Sequence, residues 1–129
     1  MGSEGSTYET VAQMDIKVEA KDDKNNCKAY SLESNTVYRV SFADVDVLEG
    51  HTDGLGLRLY NKTAKKVLEN TILDIAYCEA ANDFSWTFRT PQTQDKLELL
   101  FYAGIYGSTA GNSVTYRNVT LERLCNDDT

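Results

Sequence analysis

The chain has 129 residues, enough for one domain around one core. Hydrophobic residues make up 41% and charged residues 26%, the balance of an ordinary globular protein, and no apolar run nears the ~20 residues that cross a membrane as a helix. The formal net charge of −7 argues against nucleic acid, which wants a basic footprint; it repels an acidic polysaccharide overall, although a local basic patch can still hold one, and it leaves a neutral ligand unopposed.

The opening "MGSEGS" has neither the basic nor the apolar region of a signal peptide. It reads as a tag or linker remnant over 1–7, ahead of a folded unit over 8–125 and a tail over 126–129. Cys27, Cys78 and Cys125 are odd in number and widely spaced, so they form neither a zinc pattern nor a complete disulfide framework. One bridge with one free thiol, or three reduced thiols, both fit.

From there the period is two nearly everywhere. "MDIKVEA" alternates through Met14, Ile16 and Val18, and "KDDKNN" is a polar turn. "CKAYSL" is a short strand. "SNTVYRVSFADVDVL" reads as one strong strand, with Tyr38, Val40 and Phe42 on one face. After the loop "EGHTDG", the stretch "LGLRLYN" alternates without a break: Leu55, Leu57 and Leu59 point one way, Gly56, Arg58 and Tyr60 the other. "NKTAKK" is a charged turn, and "VLENTILDIAY" predicts a strand over about Ile72 to Tyr77. "DFSWTFRT" puts Phe84, Trp86 and Phe88 together on the core side, and Pro91 ends it. "KLELLFYAG" carries Leu97, Leu99 and Phe101 inward; "IYGSTAGN" is a glycine-rich loop. In "SVTYRNVTLERL", Val114 and Tyr116 share a parity and Val119 and Leu121 take the opposite one, which predicts a β-bulge at Arg117 and Asn118. About eight short strands, each with one apolar face, predict an all-β, two-sheet antiparallel β-sandwich.

The order "YRVSF", "GLRLY", "FSWTFRTP", "LELLFYAG", "VTYRNVTL" resembles the jelly-roll carbohydrate-binding modules related to families 4, 9 and 22, with galactose-binding-like topology. The similarity covers about Ser31 to Leu124. It implies a jelly roll and a non-catalytic module that holds a polysaccharide or oligosaccharide, targets an attached catalytic domain, and works outside the cell or on its surface. It also raises a structural calcium, which such modules often hold through an acidic pair. Here that motif reads Tyr116-Arg117-Asn118-Val119; Asp22, Asp23 or Glu122 would have to supply part of the six to eight oxygens calcium needs.

In jelly-roll order the second, fourth, fifth and seventh strands share a sheet, so "LELLFY" lies beside "LGLRLY". Arg58, Tyr60, Glu98 and Tyr102 then share one outward face, with Asp74 as an outer candidate and Asn61, Tyr77 and Tyr106 at the rim. Same-face neighbours roughly 6–7 Å apart on strands about 4.8 Å apart make a patch the size of one or two sugar rings. A tyrosine ring suits the apolar face of a pyranose, and arginine and carboxylate suit its hydroxyls. The plainer reading is a cross-strand Arg58–Glu98 ion pair among strand-forming tyrosines.

Signs of catalysis are few. His51, the one histidine, has Asp53 two residues on but no nucleophile elbow or phosphate-binding fingerprint accompanies it. A small jelly-roll glycan-active enzyme and a protein-interaction or structural sandwich are the alternative readings.

Overall fold

The structure, a computed structural model, describes residues 7–21, 27–47, 56–72, 84–103 and 113–125. The strands are β1 (Thr7–Glu19), β2 (Cys27–Leu32), β3 (Val37–Phe42), β4 (Asp44–Val47), β5 (Gly56–Asn61), β6 (Lys66–Ile72), β7 (Phe84–Arg89), β8 (Leu97–Tyr102) and β9 (Ser113–Cys125). They form two antiparallel sheets: a five-stranded one of order β1-β9-β3-β7, with β4 also on β9, and a four-stranded one of order β2-β8-β5-β6. This is the β-sandwich that the alternation predicts, and the strands divide between the sheets in jelly-roll order.

The inward positions of both sheets make one core. Ile16, Val18, Tyr38, Val40, Phe42, Val114, Tyr116, Val119 and Leu121 come from one side, and Leu57, Leu59, Leu97, Leu99 and Phe101 from the other; all are buried. Rings order the packing: Phe42 stacks on Phe84 at 4.7 Å and meets Tyr116 edge-on at 5.3 Å, and Phe101 meets Tyr116 edge-on at 5.4 Å. Trp86 packs against the core beside Phe88, as its parity predicts.

The bulge falls where the parity slip puts it. Met14 pairs with Val119 and Ile16 with Tyr116, so Asp15 alone faces Arg117 and Asn118. Asn118 takes a left-handed backbone (φ 56°), and its N–H donates to Asp15 Oδ1 at 2.9 Å. The stretch expected as a single strand from Val37 onward breaks at Ala43 opposite this bulge: Phe42 is inward and so is Val45, an odd step, and Ala43 N–H donates to the Arg117 carbonyl at 3.0 Å. Both partners slip together, so the core face stays apolar. A second difference concerns the strand expected over Ile72 to Tyr77. Pairing with β5 begins at Lys66 and runs to Ile72, because "NKTAKK" closes a tight hairpin; 73–77 lie outside the described residues.

Two polar clamps fix the ends. Thr90 Oγ1 is fully buried, accepts Thr36 N–H at 2.9 Å and donates to the Glu33 carbonyl at 2.7 Å. This ties the β2–β3 crossover to the end of β7. Tyr116, on β9, spans the core instead: its hydroxyl donates to the Tyr102 carbonyl of β8, with the Gly56 carbonyl of β5 at 3.4 Å.

Burial pushes the Tyr116 hydroxyl above the ordinary tyrosine range. A raised pKa means the native state keeps a proton that the unfolded chain releases. Its contribution to stability is therefore full below about pH 10 and declines as pH climbs past it. Tyr116→Phe strands a buried carbonyl and should cost about 1–3 kcal/mol, read as a lower urea midpoint at neutral pH. Between about pH 9.5 and 11 the unsubstituted protein's midpoint should fall more steeply than the variant's, narrowing the gap.

Candidate functional site

The outer face of the four-stranded sheet assembles the predicted residues in three rows. Cys27 of β2, Tyr102 of β8 and Gly56 of β5 form the first; Ala29, Leu100 and Arg58 the second; Ser31, Glu98 and Tyr60 the third. Arg58, Tyr60, Glu98 and Tyr102 thus share one face, and both tyrosines are partly exposed on it. Asp74, Tyr77, Tyr106, His51 and Asp53 lie outside the described residues.

Local sequence explains the shape. Gly56 has no side chain to stand beside Tyr102, and it is itself buried at that corner. Leu100 points away from the core yet is only 5% exposed, and its cross-strand neighbours are Ala29 and Arg58. It forms an apolar floor against which the arginine stem can lie. The Arg58 guanidinium sits over the Tyr102 ring, 5.1 Å from its centroid. One face of Tyr102 therefore holds Arg58 in place, and Tyr60 is the freer ring of the two.

The electrostatics are those of a half-dry surface. Arg58 Nε is buried and donates to no acceptor among the described residues, an arrangement that costs about 1–3 kcal/mol unless something accepts from it. Burial raises the Tyr102 hydroxyl's pKa; a charge on Cys27 would raise it further, and Arg58 draws it back. Burial likewise raises the Cys27 thiol, opposed by its hydrogen bond with Tyr102 and by Arg58 and reinforced by Glu98. Glu98 is not the partner of Arg58 that the plainer sequence reading supposes. Its carboxylate faces Lys62 Nζ at 3.8 Å, with the glutamate side chain 16% and the lysine 61% exposed.

Asn61 does not reach the rim. It is buried, with Nδ2 donating to Asp95 Oδ2 at 2.9 Å and Oδ1 accepting Ala64 N–H at 2.8 Å, so it shapes the β5–β6 turn. Glu122, one candidate calcium ligand, is paired with Arg39 at 2.9 Å; Asp22 and Asp23 lie outside the described residues, which contain no cluster of three potential metal-binding His, Cys, Asp or Glu side chains. On the opposite sheet Arg39 also lies over Tyr8 at 3.9 Å.

Sequence reasoning missed Cys27 and Lys62 as members of this face, and alternation puts Leu100 on it without showing that it is buried there. The alternation of "CKAYSL" carried a signal for the first: with Tyr30 and Leu32 packed inward, Cys27, Ala29 and Ser31 face out. Neither a scan of protein-family models nor a search of curated proteins returns a match to the chain. The chemistry of the face itself is what bears on function.

The Cys27 environment is checkable without a ligand. In a Cys78→Ser, Cys125→Ser background, thiol labelling at about pH 8 should run about tenfold slower than for glutathione. Arg58→Met removes a charge that favours the thiolate, so the labelling pH profile should move to higher pH. Tyr102→Ala should speed labelling by opening the corner.

Proposed function

We propose that the chain is a non-catalytic carbohydrate-binding module that holds a polysaccharide on the outer face of the four-stranded sheet. The observation that carries this reading is the convergence of Arg58, Glu98 and two partly exposed tyrosines, Tyr60 and Tyr102, on one face. A pyranose stacked on Tyr60 has its hydroxyl rim within reach of Arg58 on one side and Glu98 on the other. A ring hydroxyl that accepts from the guanidinium of half-buried Arg58 forms a charge-assisted hydrogen bond, stronger than one between neutral groups. The apolar floor at Leu100 keeps water from competing for the same atoms.

Binding is favoured over hydrolysis by the carboxylate inventory. At the outward positions of β2, β5 and β8 Glu98 is the one carboxylate, and Lys62 faces it. Hydrolysis by the usual route needs two carboxyl groups across the scissile bond. Tethered to a catalytic domain, such a module raises that enzyme's effective concentration on an insoluble or crowded substrate. A setting outside the cell or on its surface suits that role.

The test is a glycan array followed by calorimetric titration. Tyr60→Ala should weaken binding about tenfold or more, near 1.4 kcal/mol, with the melting temperature unchanged. Arg58→Met should weaken binding comparably. A folded protein that binds nothing on a broad array, or that binds equally well without Tyr60 and Arg58, would overturn the proposal.

A further inference from the structure

We infer that the glycan held on this face is acidic, and that a uronic acid carboxylate is received at its turn end by Lys62 and Lys96. This rests on the reading of the face as a glycan site and names the substrate class.

The third row, Ser31–Glu98–Tyr60, does not end at a blank surface. It runs into a groove of about 330 Å³ lined by Ser31, Leu32, Lys62, Lys96, Leu97 and Glu98. Glu98 therefore belongs both to the aromatic face and to the groove, which makes the two continuous. Tyr60 is directly opposite Glu98 and two residues before Lys62. A sugar stacked on Tyr60 would have a ring substituent, or the next residue of the chain, over the groove, given same-face spacings of roughly 6–7 Å.

The two lysines are held side by side by the backbone. Lys62 N–H donates to the Lys96 carbonyl at 2.8 Å, and Lys96 N–H donates to Thr63 Oγ1 at 2.9 Å. The buried Asn61 braces the same turn through Asp95 and Ala64. The anchors of both side chains are thus fixed at one rim, and both lysines line the groove with little backbone left to order.

Their charge is in excess. Among the described residues Glu98 faces Lys62, and that contact is long at 3.8 Å with the lysine well exposed. Lys96 has no carboxylate within ion-pair distance among the described residues, nor do Lys65 and Lys66 on the same hairpin. In a chain of net charge −7 this end is locally positive. A lysine presents a compact charge with three donors, suited to one carboxylate received from several directions. Glu98 adds a second discrimination: it accepts from sugar hydroxyls and repels an anion placed on the wrong side of the ring. A neutral glycan has no use for the lysine pair. An acidic one gains an ion pair and avoids the repulsion that the rest of the surface imposes on it.

The experiment titrates the protein with an oligogalacturonate and with a neutral hexose oligosaccharide of the same length. Parallel titrations use Lys62→Gln/Lys96→Gln and Tyr60→Ala. Tighter binding of the uronate is expected, falling severalfold as salt rises from about 20 to about 200 mM. The lysine double variant should lose about tenfold for the uronate, with little change for the neutral sugar and an unchanged melting temperature. Neutral sugar bound as tightly as uronate, insensitive to salt and to the lysine substitutions yet weakened by Tyr60→Ala, would overturn the acidic selectivity and leave the glycan-binding reading standing. Binding of neither sugar would overturn the acidic selectivity, and a blank broad glycan array with it would overturn both.

Discussion

The hydroxyl of Tyr116 is the constraint on which the rest of the molecule turns. It starts on β9, crosses the core between Phe42 and Phe101, and reaches the carbonyls of Tyr102 and Gly56 on the other sheet. Those two residues face each other across β8 and β5, at the first row of the outer face. A buried hydroxyl must find a partner, and a buried carbonyl must be met; here each answers the other. The sheets of a sandwich otherwise meet only through non-directional apolar contact. This bond gives their packing a direction, and it fixes the backbone from which Tyr102 projects outward.

From that fixed point the outer face follows. Gly56 stands opposite Tyr102 with no side chain of its own, and Arg58 rests over the tyrosine ring with Leu100 as its cross-strand neighbour. The guanidinium is thereby held by packing and by a ring, not by a carboxylate. That distinction matters for binding. An arginine already locked to Glu98 would have to break an ion pair to receive a ligand. One held from behind by an aromatic ring has no such pair to break first. Burial, more than any neighbouring charge, raises the pKa of both the Cys27 thiol and the Tyr102 hydroxyl, so both stay neutral at and well above neutral pH beside the Arg58 cation.

Much of this was legible in the residue pattern, because a half-buried strand writes its two faces in alternate letters. "LGLRLY" and "LELLFY" told which side chains face out, and jelly-roll order told that the two strands are neighbours. The slip at Asn118 was legible as a parity change. Its echo at Ala43 was written in the same way, since Phe42 and Val45 cannot share a face in an unbroken strand, yet it reads as one strand unless the bulge on the partner is considered at the same time. Other features depend on three-dimensional neighbours. Leu100 is outward by alternation but buried by what surrounds it. Asn61 ends a strand in a polar turn, where an asparagine ordinarily meets water, but Asp95 and Ala64 claim its amide from within. The choice of Lys62 over Arg58 as the cation facing Glu98 is set by hairpin geometry that no spacing rule contains. The start of β6 was misplaced because register along a bulged edge strand is set by the turn, not by hydrophobic period.

The placement of the face within the fold bears on what it can bind. β8 and β5 are the two central strands of their sheet, flanked by β2 and β6, so every proposed contact residue except the turn lysines stands on backbone bonded from both sides. Loops can reshape themselves around a ligand; a central strand cannot. A face built there suits a ligand that is itself stiff and repeating, because neither partner then has much freedom to lose on meeting. The proposed polysaccharide fits that description better than a flexible peptide does. The lysine turn sits at the end of the same rigid rows, tied by Asn61, by the bond from Lys62 N–H to the Lys96 carbonyl and by that from Lys96 N–H to Thr63 Oγ1. A charge offered from so firm a mount discriminates by position as well as by sign, which is how a chain with a surplus of acidic residues would still select an acidic sugar.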